Sequence, residues 1–280
     1  MKSARFLVNT LVYTILVVSL VAFITPFLLI IINSFKTNAE IIESPLAWPT
    51  TFNFSNFAAS MKEMNYFQSF LNSLGITLGS VVLIGVFAAM TAHYFVRNKT
   101  KTNGALFFAM VASMIIPFQA IMIPLVSLYG AKLGWIQTMP KSTLIFMYLG
   151  FGSPLAVFIY HGFVKSIPLE LEEAAFMDGC DRRGTFFRII LPILMPTTVT
   201  IGILNILWIW NDFLLPLLVL QNAGRGSYTL PLAIQVFKGT YTTDNEKFLP
   251  AVLLVILPIL IVYLFAQRFI IQGVTQGSVK

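Results

Sequence analysis

Ser166-Ile-Pro-Leu-Glu-Leu-Glu-Glu-Ala-Ala-Phe-Met-Asp-Gly-Cys-Asp-Arg-Arg-Gly-Thr-Phe-Phe-Arg-Ile-Ile-Leu-Pro-Ile193 is the one long charged stretch in an otherwise apolar chain of 280 residues. It predicts two short helices joined by a hinge. Pro168 suits a first turn, and Glu170, Glu172 and Glu173 crowd the N-terminal end, where the helix dipole favours anions. Gly179 can close this helix in a left-handed cap. Asp181 can then cap a second helix through its side-chain oxygen, and Pro192 stops that one. Ala174 and Ala175 are adjacent small residues, so the backbone of the first helix can come close to whatever it docks against.

The same stretch carries a family resemblance. Glu173, Ala174, Ala175, then Gly179, then Ile189, Leu191 and Pro192 fit the pattern E-A-A, three residues, G, nine residues, I-x-L-P at every position. This resembles the EAA loop of the membrane subunits of bacterial ABC importers, and the flanks 166–172 and 176–179 are similar to the carbohydrate-importer branch. The likeness runs over nearly the whole chain. It implies an all-α integral membrane protein of six transmembrane helices, with a cytoplasmic coupling helix between spans four and five, similar to the second permease of maltose-type systems. It also implies an ATPase-coupling role for Glu173, Ala174, Ala175, Asp178, Gly179, Leu191 and Pro192. The implied partners are a homologous second permease, two cytoplasmic ABC ATPase subunits that hold ATP and Mg, and an extracytoplasmic sugar-binding protein. No cofactor, metal or nucleic acid is expected on this chain.

Composition agrees with a bilayer as solvent. Hydrophobic residues make up 57% of the chain, charged residues 10%, and mean hydropathy is +0.83, far from a soluble domain. The first apolar run, from about residue 6 to 35, is much longer than the apolar core of a signal peptide (about 7–15 residues), and no small-residue cleavage pattern follows it. It predicts a span over 10–32, long enough for about 30 Å of hydrocarbon, with Pro26 as a candidate kink. Further spans are expected at 72–95, 105–128, 142–163, 194–220 and 248–270. Gly75, Gly79 and Gly85 offer small-residue contacts in the second, and Pro117 and Pro124 interrupt the third. No linker divides the chain, so a single membrane domain over 1–280 is expected.

Orientation follows from the loops. With six spans, the ends and the 96–104 and 164–193 loops share one side. That side holds Lys2, Arg5, Arg97, Lys99, Lys101, Lys165, Arg182, Arg183, Arg188, Arg268 and Lys280, eleven of the 18 basic residues, against seven spread over longer segments opposite. Both termini are therefore expected in the cytoplasm of a bacterial cell, with the charged loop inside as well. The 221–247 segment then lies outside, where the resemblance has it face the binding protein, although a plain connector fits equally.

Enzyme chemistry finds no support. A chain without a Gly-Lys dipeptide has no phosphate-binding P-loop, so ATP hydrolysis is expected on a separate subunit. Neither histidine, His93 or His161, has a ligand-spaced partner, and interfacial snorkelling or capping is the expected role. Cys180 is the only cysteine, so no internal disulfide can form. The candidate pathway lies instead in the fifth span, where Asn205, Trp208 and Asp212 fall in one sector of a regular helix, with Asn211 just beyond it. Amide, indole and carboxylate suit sugar hydroxyls and the C–H face of a sugar ring. Gln119 between the third span's prolines is a further candidate. The bland alternative is that Asn211 and Asp212 cap a broken helix or bridge neighbouring spans, which fits Pro216 nearby. Function is expected to be import of a sugar, an oligosaccharide in particular. The rivals are a polyol or glycerol phosphate carried by the same kind of machine, or a secondary transporter.

Overall fold

Helix accounts for almost everything in the computed structural model, which describes residues 2–239 and 242–276, with side chains over 8–239 and 242–269. Lys280, Thr240 and Tyr241 of the readings above lie outside these residues, as do the side chains of Lys2 and Arg5. Among the described residues the only β pairing is an isolated bridge between Lys238 and Thr243. The elements are α1 Lys2–Asn33, α2 Asn38–Glu43, α3 Ser55–Glu63, α4 Tyr66–Arg97, α5 Lys101–Ser113, α6 Phe118–Val126, α7 Trp135–Thr138 and α8 Pro140–Val164. They continue as α9 Glu170–Met177, α10 Arg182–Thr185, α11 Leu191–Ile193, α12 Met195–Asn211, α13 Leu214–Leu220, α14 Leu230–Ala233 and α15 Asn245–Gln276.

Four helical stretches are long and apolar enough to cross a bilayer: Val8–Asn33, Tyr66–Arg97, Pro140–Val164 and Asn245–Phe269. They match the expected first, second, fourth and sixth spans. The other two are bent, and the count is six when each bent pair is taken as one span. Lys101–Ser113 and Phe118–Lys132 meet at 101°, because Pro117 has no N–H to continue the ladder and forces its predecessor out of the helical region. Pro124 stays inside α6, and the helix widens into a π turn over Ser127–Lys132. The expected fifth span, 194–220, is not one helix either. Asp212 has extended backbone (φ −69°, ψ 132°), which separates α12 from α13.

Pro192 does not stop the second loop helix. Instead α10 passes through a π turn, Phe186–Ile190, into α11, and the chain then turns by 74° at Leu194. Pro196 stands in the first turn of α12, where its missing N–H costs nothing.

The chain forms two compact units. One runs through Phe67 and over Ala233–Pro258. In it the segment after α1 is stapled by Lys36, 1% exposed, whose Nζ donates to Asn33 Oδ1 (2.9 Å) and to the Ser44 carbonyl (2.8 Å). Asn56 Nδ2 in turn donates to the Lys36 carbonyl (3.0 Å). Phe35 packs edge-on against Phe52 and Phe54 at 5.3 and 5.2 Å. Asn38 is bonded to the backbone and side chains at the start of α15, through Glu246 and Asp244.

The other unit, Gln68–Leu232 and from Ile259 onward, holds the main core. Ile84, Ala88, Ala89 and Ala92 of α4, Leu144, Tyr148, Ala156 and Tyr160 of α8, and Ile201 of α12 are buried together. Lipid supplies no hydrophobic drive between spans, so close packing and hydrogen bonds hold them. Closeness peaks at Gly152 of α8, where an added Cβ would sit 2.5 Å from Ile84 Cδ1 and 2.8 Å from Asn205 Oδ1. Tyr160 adds a side-chain hydrogen bond to Thr198 of α12 (2.9 Å). Near that end His161 stacks on Phe107 of α5 at 4.1 Å. The glycines expected to pack are looser: an added Cβ would meet Ile145 Cδ1 at 3.4 Å from Gly79, the Tyr160 hydroxyl at 3.9 Å from Gly85, and nothing within 4 Å from Gly75.

Candidate functional site

The charged loop folds from its own local signals. Gly179 takes φ +84°, which only glycine adopts cheaply. Cys180 N then donates back to the Ala175 carbonyl (2.9 Å) and Gly179 N to that of Phe176 (3.1 Å), the paired bonds of a left-handed helix end. Asp181 Oδ1 accepts from Gly184 N (2.7 Å) and caps α10. α9 therefore ends, turns and hands over to α10 within four residues.

α9 presents two chemically different faces. Glu173, Ala174 and Asp178 are exposed, together with Leu171, Phe176 and Met177, the last at 87%. Glu172 and Ala175 are its only buried residues. The Glu172 carboxylate accepts from Arg97 Nε (2.7 Å) and lies 3.1 Å and 3.2 Å from His93 Nε2, both donors being on the last turns of α4. Leu191 is half-buried and Pro192 exposed, beyond the π turn.

A cavity of about 920 Å³ opens between α5, α6, α8 and α12. Its wall is mostly apolar and aromatic, with Phe118, Tyr129, Phe146, Phe151 and Trp208. The polar lining is neutral: Ser113, Ser153 and Asn205. No Asp, Glu, Lys or Arg belongs to it. Such a wall can stack on the C–H faces of a ring and bond hydroxyls, and it holds no countercharge for an ion.

Of the pathway candidates, two line this cavity. Asn205 is buried, its amide donating to the Ile201 carbonyl (2.9 Å), and Trp208 is 43% exposed. Asp212 stands apart from them. It lies past the end of the regular helix, accepts from Leu214 N (3.0 Å) at the start of α13, and takes the Tyr148 hydroxyl on Oδ2 (2.9 Å). The shared sector assumed an unbroken helix, and the break at Asp212 removes that assumption. Asn211 is exposed and donates to the Leu207 carbonyl (2.7 Å). Gln119 is exposed and does not line the cavity.

Sequence reasoning missed three residues. Tyr148 joins Trp208, whose ring it meets at 5.5 Å and 82°, to Asp212. Gly152 sets the tightest crossing. Glu172 is turned inward, and one signal was available: it stands three residues before Ala175, hence on the same helix face. Among the described residues no group of three or more His, Cys, Asp or Glu side chains could hold a metal ion.

This arrangement of broken spans, an amphipathic loop helix and a neutral cavity is that of a membrane transport subunit. The chain belongs to the family of binding-protein-dependent transport system inner membrane components, whose profile matches residues 81–275, and it is a transporter subunit rather than an enzyme. It is similar to the probable starch degradation products transport system permease protein of Thermoanaerobacterium thermosulfurigenes, at 42% identity over 92% of each chain. It is also similar to the melibiose/raffinose/stachyose import permease protein of Bacillus subtilis, at 31% identity over the full length of both. Among solved structures it resembles a chain of a bacterial ABC transporter involved in the import of the acidic polysaccharide alginate. There the TM-score is 0.81 at 18% identity, covering 96% of this chain and 98% of that one, a likeness of fold.

Proposed function

We propose that this chain is the permease subunit of an ATP-driven importer of neutral sugars, oligosaccharides in particular, built as one membrane domain of six spans with both termini in the cytoplasm. It pairs with a homologous second permease, and its cavity forms half of the translocation pathway. α9 is the coupling helix. Its exposed Leu171, Glu173, Phe176 and Met177 seat in a groove of a separate ATPase subunit, which binds ATP and Mg. Gly179 and Asp178 shape the turn that follows, and Leu191 and Pro192 lead the second loop helix back to the membrane. An extracytoplasmic binding protein delivers the sugar to the opposite side.

One observation carries the reading: α9 exposes a contiguous apolar and acidic face while its inward face is fixed to the body of the protein. A helix with large apolar side chains left outside a membrane protein's fold is a docking surface in waiting. For the cargo, support comes from the neutral, aromatic cavity and from the sugar names of the relatives. Asn205 and Trp208 are its pathway residues. Asp212 and Asn211 act as structural caps of the broken span.

The test is assembly and transport. Purified from the membranes of its own cells, the chain should retain two ATPase subunits, and the reconstituted complex should take up a malto- or galacto-oligosaccharide only with ATP inside. Trp208→Ala should impair uptake more than Ile203→Ala. Purification without ATPase subunits, or uptake driven by a proton gradient alone, would refute the proposal.

A further inference from the structure

We propose that Glu172, Arg97 and His93 are positioning residues for coupling: they fix α9 to α4, so that a displacement of the loop helix moves the membrane helix with it as one body. The inference rests on the reading of α9 as the ATPase-docking helix. It separates two adjacent glutamates by role, Glu173 facing outward to the partner and Glu172 facing inward.

The geometry is that of a clamp. Arg97 is the last residue of α4, and His93 stands one turn before it. Both reach the same carboxylate, whose side chain is 5% exposed. A carboxylate oxygen only accepts, so the ring nitrogen facing it carries the hydrogen. Arg97 does more than pair: its Nη2 donates to the Ile167 carbonyl (2.9 Å), on the segment entering α9. One guanidinium thus holds both the approach to α9 and its first turn. The His93 ring also packs on Phe186 at 5.4 Å, where the second loop helix enters its π turn. Through these two residues the end of α4 touches both halves of the loop.

A link of this kind transmits movement where an apolar contact slips. Charge-assisted, forked hydrogen bonds fix angle as well as distance, and a buried charge strongly resists losing its partner. The alternative anchors are few, since Ala175 is the only other buried residue of α9. Without the clamp Ala175 is the one buried side chain left on α9, and the helix can rock while α4 stays still.

The experiment measures whether the two helices move together. Spin labels on Cys180, beside the α9 turn, and on α4 at Tyr94→Cys (Tyr94 is 56% exposed) report their separation by double electron–electron resonance. The sample is the full complex, its other subunits free of cysteine, with and without a trapped ATP analogue. The intact chain is expected to show one narrow distance distribution, the same in both states. Glu172→Gln and Arg97→Gln should each broaden it or shift it on nucleotide binding, and the double variant should be no worse than the worse single one. If Glu172→Gln fails to assemble, Arg97→Lys carries the test, because it keeps the charge and loses the fork; a broadened distribution is expected there too. A nucleotide-dependent distance in the intact chain overturns the proposal, as do variants that keep the narrow distribution. Failure of the underlying reading looks different: the intact chain would purify without ATPase subunits.

Discussion

Gly152→Ala adds one methyl group at the place where α4, α8 and α12 come closest. The new carbon would lie 2.5 Å from Ile84 Cδ1, 3.3 Å from Ile84 Cγ1 and 2.8 Å from Asn205 Oδ1. Ile84 is fully buried, so it cannot swing aside without displacing the core around it. Overpacking of this kind costs about 1–3 kcal/mol. Against it stands the gain from replacing a mid-helix glycine, about 0.5–1 kcal/mol. The clash outweighs the gain, for a net loss of up to about 2.5 kcal/mol. Gly150→Ala is the internal control: on the same helix, its Cβ would meet nothing within 4 Å, so only the gain applies. Tryptophan-fluorescence melting of the detergent-solubilised protein should place the variants in the order Gly152→Ala, wild type, Gly150→Ala. Ile84→Val deletes the very atom at 2.5 Å and should recover part of the loss when combined with Gly152→Ala, although alone it costs about 0.5–1.5 kcal/mol. Equal stability of the two glycine variants, or strict additivity of the pair, would refute the packing argument.

Gly179→Leu puts a branched side chain on φ +84°, at a cost of about 1–2 kcal/mol, so uptake should fall while membrane insertion persists; normal uptake with ATPase subunits retained removes Gly179 from the coupling turn. Tyr148→Phe deletes the donor to Asp212 Oδ2 and should destabilise by about 1.5–3 kcal/mol, with Asp212→Asn milder because its amide can still bond the hydroxyl; melting curves of the two variants give the comparison. Cysteines introduced over 221–239 on a Cys180-free background should react with an impermeant maleimide in intact cells, and labelling only after permeabilisation would invert the topology.

Signals written in neighbouring residues were legible in the chain itself. Gly179 and Asp181 announce a left-handed end followed by a cap, and both bonds form as the local chemistry dictates. Pro117 likewise marks a break that a hydropathy window alone would pass over. Asp212 was legible only as an alternative. Its flanks are so apolar that composition favours one long span, and the stripe drawn through Asn205, Trp208 and Asp212 depended on a helix that ends at Asn211. What stayed hidden is non-local. Glu172 looks like one more acid in a helix's first turn, and nothing near it names Arg97, 75 residues earlier. Gly152 resembles the chain's other glycines until three helices are brought together around it.

The staple at Lys36 bears on how the chain answers to acid. Its ammonium is held by a side-chain amide and a peptide carbonyl, with a further amide closing on its own backbone. Neither acceptor gains a proton at any acidity a cell meets, so this anchor has no member that acid can neutralise. Lysines held by carboxylates loosen as their surroundings sour. The segment between α1 and α4 also leans on carboxylates, where Asn38 meets Asp244 and Glu246, so the Lys36 staple is the part of its anchorage that acid leaves untouched.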